Sequence, residues 1–146
     1  MRIAAVDGAT TRELRRAVLR PGWPEAAPMH GDDNPEALHI AAIDDDDVVI
    51  AACLVLPRAY PKQPGTASAW QLRGMATAES HRSQGLGAEL VVAVLAELRQ
   101  RGAQLVWCEA RNAAIRFYSR NGFEVDGEEF LHAETGIPHH YMWRHV

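Results

Sequence analysis

The sequence predicts an α/β fold: one domain over residues 1–146, with a mixed, mostly antiparallel sheet flanked by helices. Three observations carry this. A chain of 146 residues with 47% hydrophobic content is the size of one domain and can bury a core. Its periodicities run β-α-β-β-β-α-β-α-β-β. A β-α-β passage across residues 69–109 demands a parallel pair in the sheet, while short polar turns elsewhere demand antiparallel hairpins.

Each element has a local cause. Arg2 to Val6 is a short strand. Thr10 to Arg20 reads as a helix with Thr10 or Thr11 as N-cap and Leu14, Val18 and Leu19 on one face; Pro21-Gly22 stops it. Residues 21–36 hold four prolines with Gly31, Asp32, Asp33 and Asn34, a long irregular loop of the kind that lines sites. Leu38 to Ile43 and Val48 to Leu56 are strands joined by Asp44-Asp45-Asp46-Asp47, which lacks the spaced ligands of a calcium loop and reads as a solvated turn. Arg58 to Thr66 is a second proline-bearing loop. Ala69 to Thr77 is a strand in which Gly74 marks a bulge. Gly85 to Arg101 is a helix with Val91, Val94, Leu95 and Leu98 at its period. Gln104 to Cys108 is a strand and Asn112 to Arg120 a short helix stopped by Asn121-Gly122. Phe123 to Leu131 and His140 to His145 close the chain as strands.

Composition excludes several classes. A net charge of −4 argues against a nucleic-acid partner. No apolar run approaches the roughly 20 residues of a membrane span, and residues 1–20 lack a secretory pattern. Cys53 and Cys108 sit in apolar runs and read as core residues of a reduced, cytoplasmic protein. His132, His139, His140 and His145 have no zinc-type spacing, and adjacent strand residues face opposite ways, so no metal is expected. Lys62 is the single lysine.

The informative stretch is Leu72 to Gly87, in which a strand ends, a polar loop follows and Arg82-Ser83-Gln84-Gly85-Leu86-Gly87 opens a helix. Unpaired N–H groups and the positive end of the helix dipole favour an anion there, glycines let the backbone close on it, and Arg82 adds a fixed charge. A tight structural turn would use the same residues. The segment is not a P-loop, because no Gly-Lys-Ser/Thr follows, and it lacks the Gly-x-Gly-x-x-Gly spacing of a dinucleotide fold.

This segment resembles motif A, Arg/Gln-x-x-Gly-x-Gly/Ala, of the GCN5-related N-acetyltransferase (GNAT) superfamily. Ala114-Ile115-Arg116-Phe117-Tyr118-Ser119-Arg120-Asn121-Gly122-Phe123 resembles its motif B. Leu19-Arg20-Pro21-Gly22, Leu105-Val106-Trp107-Cys108, Ala110-Arg111 and Gly136-Ile137-Pro138-His139 are similar to an uncharacterised bacterial branch. The resemblance implies a GNAT-like sheet with a splayed central parallel pair and acetyl transfer from acetyl-CoA to an amine by direct attack in a ternary complex. It implies that the backbone of Met75, Ala76 and Thr77 binds the pantetheine arm, and that Arg82, Ser83, Gln84, Gly85, Leu86, Gly87 and Ala88 hold the diphosphate.

In the implied chemistry a neutral amine attacks the thioester carbon, and a backbone N–H near Met75 stabilises the oxyanion. Tyr118 matches the family tyrosine that protonates the leaving thiolate; packing beside Ala114 and Phe117 is its plainer role. Glu109 is the candidate base, with pairing to Arg111 or Arg116 as the alternative and a water chain as a rival. The family asparagine falls on Arg111, with Asn112 one residue later. Either is a candidate coenzyme contact, and Asn112 is also a candidate helix N-cap. Trp23 and His139 are candidate acceptor contacts, and Met29, His30, Asp32 and Asp33 candidate lining; His139 could equally be a structural histidine bonded to a carbonyl. The acceptor is a small-molecule or peptide amine, the protein a monomer or homodimer. A non-catalytic acyl-CoA-binding or sensor module on the same fold is the alternative function.

Overall fold

The computed structural model describes every residue except His30, so that candidate lies outside the described residues. Seven strands and three α-helices follow the expected order: β1 (Arg2–Val6), α1 (Gly8–Leu19), β2 (Leu38–Ile43), β3 (Val49–Pro57), β4 (Ala69–Thr77), α2 (Leu86–Gln100), β5 (Leu105–Arg111), α3 (Ile115–Arg120), β6 (Glu124–Leu131) and β7 (Pro138–His145). Short 3₁₀ turns at Glu79–His81 and Asn112–Ala114 precede α2 and α3. The strand order is β1-β2-β3-β4-β5-β7-β6. The chain divides into two compact units: residues 1–56 with 72–97, and residues 57–71 with 98–146.

The first unit is built on antiparallel β1, β2 and β3. Arg2 to Val6 pair with Ile43 to His39, and β2 pairs with β3 with a register shift between Ala42 and Ile43. Ile40–Ile43 and Ile50–Leu56 are buried continuously, the pattern of strands covered on both faces. The aspartate run closes this hairpin as a turn. Asp44 Oδ1 accepts from Asp46 and Val48 N–H, while Asp45 and Asp47 pair with the N-terminal ammonium and Arg2. Leu90, Val91, Val94 and Leu95 form the buried stripe of α2.

Helix α1 starts earlier than its threonines suggest. Asp7 is the N-cap, and its side chain accepts from Ala9 N–H at 3.0 Å. Thr11 instead faces inward beneath Arg15. The buried residues of α1 are Thr11 and Arg15, while Leu14, Val18 and Leu19 are half-buried.

In the second unit, Ala69–Gln71 of β4 pair in parallel with Leu105–Trp107 of β5. β5 is longer than expected, reaching Arg111, because β7 zips antiparallel along all of it, from Leu105 opposite His145 to Arg111 opposite His139. β6 pairs with β7 on its other side and bulges between Asp126 and Phe130. Tyr60, Ala69, Leu105 and Trp107 form this unit's buried cluster, with Tyr141 and Trp143 packed against it.

Candidate functional site

The glycine-bearing segment of the first unit takes an unusual backbone. Gly74 has φ +62°, and a Cβ there would lie 3.2 Å from Arg15 Cδ and 3.4 Å from Leu54 Cδ2. Any side chain would be both strained and crowded, so the bulge in β4 requires glycine. Beyond it Met75 and Thr77 are half-buried and Ala76 buried. After β4, Ser83 has φ +64° and Gly85 φ +79°. A serine held in the left-handed region is local strain of the kind that collects at binding sites. Arg82, Ser83, Gln84 and Gly85 are exposed, and Leu86 is buried as the anchor of α2.

Glu89 N–H bonds to the Gly85 carbonyl at 3.2 Å. The preceding amides of Leu86, Gly87 and Ala88 therefore have no intrahelical acceptor, and a Cβ at Gly85 would meet nothing within 4 Å. Three amides, an open approach and the exposed Arg82 guanidinium fit the diphosphate of coenzyme A.

Under the bulge lies a charged knot that the sequence reading did not foresee. The Arg15 side chain is 1% exposed. It donates from both terminal nitrogens to the two carboxylate oxygens of Asp32, at 2.9 Å each, and from Nε to Thr11 Oγ1 at 3.0 Å. Arg12 reaches the same carboxylate at 3.3 Å and donates to the carbonyls of Glu25 and Ala27. Asp32 is thus committed to two arginines of α1, which tie down the 21–36 loop; it is not free to meet an acceptor. His39 is buried in the same region, and its Nδ1 has no hydrogen-bond partner. Burial, then the Arg15 charge, hold its pKa below the ordinary histidine value. Trp23 is 39% exposed, with the Arg20 guanidinium 5.1 Å from the centre of its ring.

The second unit carries the titratable candidates. Tyr118 is 7% exposed on α3, its ring edge-on to Phe117 at 5.0 Å and to Phe123 at 5.3 Å. Glu109 is set against His132, a partner the sequence reading did not name, its Oε2 3.2 Å from His132 Nε2. Glu134 N–H donates to His132 Nδ1 at 3.2 Å, so in the neutral ring the proton sits on Nε2 and is donated to Glu109. Sequence reading missed His132 because 23 positions separate it from Glu109 and no local pattern links them. His139 is buried and its Nδ1 donates to the Ile137 carbonyl at 2.7 Å, while its ring lies 4.6 Å from that of His132.

Asn112 is not a helix cap. Arg111 holds the N-cap position of the 3₁₀ turn, and the Asn112 amide donates to Glu129 at 2.6 Å and accepts from His140 Nδ1 at 2.9 Å. Strand alternation places Trp107 and Glu109 of β5 on one face with Tyr141 and Trp143 of β7. The Tyr60 hydroxyl donates to Asp126 at 2.7 Å; burial, then this bond, raise its pKa well above the ordinary phenol value. Cys53 and Cys108 are free and buried, and burial pushes the Cys53 thiol up to about 12, which makes it a packing residue. Among the described residues no group of three or more His, Cys, Asp or Glu side chains is arranged to hold a metal ion, and no helix is long and apolar enough to cross a membrane.

Comparison with known proteins shows the family and the fold. Residues 9–123 match the family model described as the acetyltransferase (GNAT) family. An uncharacterised N-acetyltransferase of Bacillus subtilis, YitI, is 30% identical over 130 residues, covering 89% of this chain and 87% of that protein. Among solved structures, an aminoglycoside 6'-N-acetyltransferase complexed with coenzyme A is similar with a TM-score of 0.74 at 20% identity, over 99% of this chain and 97% of that one. An acyl-CoA N-acyltransferase from Pseudomonas aeruginosa is similar with a TM-score of 0.73 at 22% identity, over 98% of both chains.

Proposed function

As a member of the acetyltransferase (GNAT) family the chain is an N-acetyltransferase, and we propose that it moves an acetyl group from acetyl-CoA to an amine by direct attack in a ternary complex. The observation that carries this reading is the backbone of residues 74–88: left-handed at Gly74, Ser83 and Gly85, then three helix-opening amides beside Arg82. In this proposal Arg82 and the amides from Ser83 through Gln84, Gly85, Leu86 and Gly87 to Ala88 hold the diphosphate. The backbone of Met75, Ala76 and Thr77 lines the pantetheine arm, and an N–H near Met75 stabilises the oxyanion.

Coenzyme A supplies the activated acyl carbon and a thiolate leaving group; the chain handles the protons. Glu109 takes a proton from the incoming ammonium, and the His132 Nε2–H fixes which carboxylate oxygen is engaged. Tyr118 donates its hydroxyl proton to the departing sulfur and regains one from the amide-forming nitrogen. Trp23 and His139 contact the acceptor, a small-molecule or peptide amine; the His139 ring keeps Nε2 for this, since Nδ1 is held by Ile137. Asn112 stays a coenzyme contact, which requires it to release Glu129 or His140. Residues 1–146 act as one N-acetyltransferase domain, in the cytoplasm, as a monomer or homodimer, without a metal.

The test has two stages. Acetyl-CoA should raise the melting temperature by mass action. A panel of amines with acetyl-CoA, followed by free thiol, should then identify acceptors. A melting curve unmoved at millimolar acetyl-CoA would sink the reading.

A further inference from the structure

The Arg15–Asp32 pair has a second neighbour, the β4 bulge, and every residue concerned belongs to the first unit. The guanidinium of Arg15 is committed to Asp32, to Thr11 and, at 3.4 Å, to the Gly8 carbonyl. Its stem runs beneath the bulge, where a Cβ at Gly74 would lie 3.2 Å from Arg15 Cδ. One buried side chain therefore touches both the 21–36 loop and the strand segment that leads into Met75, Ala76 and Thr77.

Leu54 of β3 makes the same connection a second time. It is 1% exposed. A Cβ at Gly31 would lie 3.4 Å from its Cδ1, and a Cβ at Gly74 would lie 3.4 Å from its Cδ2. Gly31 is buried with φ +97°, so the loop is pressed onto Leu54 at a position suited to glycine. The loop turn and the bulge thus pack on the same leucine while Arg15 bridges them, and a shift in one is felt by the other. Arg12 differs. It holds the loop at Asp32 and at the carbonyls of Glu25 and Ala27, but it is not among the groups that meet the Gly74 position.

We infer that Arg15 is a positioning residue for the coenzyme: held by Asp32, it forms the floor on which the β4 bulge keeps the shape that receives the pantetheine arm. The inference rests on the proposed role of Met75, Ala76 and Thr77. It adds that coenzyme affinity depends on Asp32, a loop residue whose side chain is bonded to arginines of α1. Without that carboxylate the guanidinium keeps a full charge in a place sealed from water. It regains partners by turning toward solvent, and this withdraws the stem from under Gly74. The bulge is then no longer preorganised, and the ligand has to order it on binding, at a cost in affinity.

The experiment is calorimetric titration with coenzyme A of the full chain and of Asp32→Asn, Asp32→Glu and Arg12→Gln, each well below its own melting temperature. Asp32→Asn should weaken coenzyme binding about tenfold. Asp32→Glu keeps a carboxylate for the Arg15 fork and should recover most of that loss. Arg12→Gln loosens the loop without removing the floor and should leave the dissociation constant within about twofold of the unaltered chain. A knot that only stabilised the fold would lower melting temperatures and leave the dissociation constants of the folded proteins alone. Three outcomes overturn the inference: an unchanged dissociation constant in folded Asp32→Asn, no recovery in Asp32→Glu, or a loss in Arg12→Gln equal to that in Asp32→Asn. In each, the unaltered chain still binds coenzyme A, whereas an unaltered chain that binds none would remove the proposed function itself.

Discussion

In the first unit, Ile40–Ile43 and Ile50–Leu56 are sealed from water and consist only of aliphatic residues and one cysteine. In the second, β5 and β7 present Trp107, Glu109, His139, Tyr141 and Trp143, with polar atoms there and beside them tied by Glu109–His132, His139–Ile137 and Tyr60–Asp126 contacts. The proposed function would ask different things of each. Where a ligand is bound through backbone amides, side chains can be given over to packing, and small residues such as Ala41, Ala42, Ala51 and Ala52 suffice. Where protons must move, carboxylates and imidazoles have to sit at the margin of the core, and each needs a partner to offset its desolvation.

The first unit departs from this rule at the Arg15–Asp32 pair, and the contrast is most easily broken there. Arg15→Met keeps most of the stem volume but leaves the Asp32 carboxylate with Arg12 alone. It should cost about 3 kcal/mol in urea unfolding, because removal of one member of a buried pair strands the other charge. A cost below about 1 kcal/mol would mean that the knot is solvated.

Tyr118→Phe sharpens the other side of the comparison. The ring packing against Phe117 and Phe123 survives, so stability and the acetyl-CoA thermal shift should hold. Acetyl transfer should fall about hundredfold, roughly 2.7 kcal/mol on the barrier. Unchanged thiol release would leave Tyr118 a packing residue.

The smallest expected effect belongs to His39, buried beside charges in the first unit, with Arg15, Asp32 and Asp7 acting on it. Its folded pKa is lowered, so the unfolded chain binds a proton near pH ~6.5 that the folded chain refuses. Stability should therefore decline as pH falls through that value and be unaffected above it. His39→Leu should flatten this part of the urea-midpoint profile between pH ~7.5 and ~5.5.

Much of this architecture was legible because it is local. Gly74 within β4, the helical period of Val91, Val94 and Leu95, and the turn residues around Asp44 and Gly122 each act within a few positions. The elements they predict are present with ends shifted by at most three residues. The site's backbone was legible for the same reason, since Arg82 through Gly87 is one contiguous segment. The pairs were not. Arg15 drew no expectation, because its partner Asp32 lies 17 positions away on a loop. Asn112 looked like a cap because the strand feeding it was read as three residues too short. β7 extends β5 to Arg111 and turns the Asn112 amide toward Glu129 and His140.

The central claim is that the amides of residues 75–77 and 83–88 hold coenzyme A. Titrating the ¹⁵N-labelled full chain with coenzyme A while following every backbone amide tests it most directly. The account predicts the largest shifts at Met75, Ala76 and Thr77 and from Ser83 to Ala88, with β1 and β2 unmoved. Shifts confined to other segments, or none at saturating ligand, would contradict it.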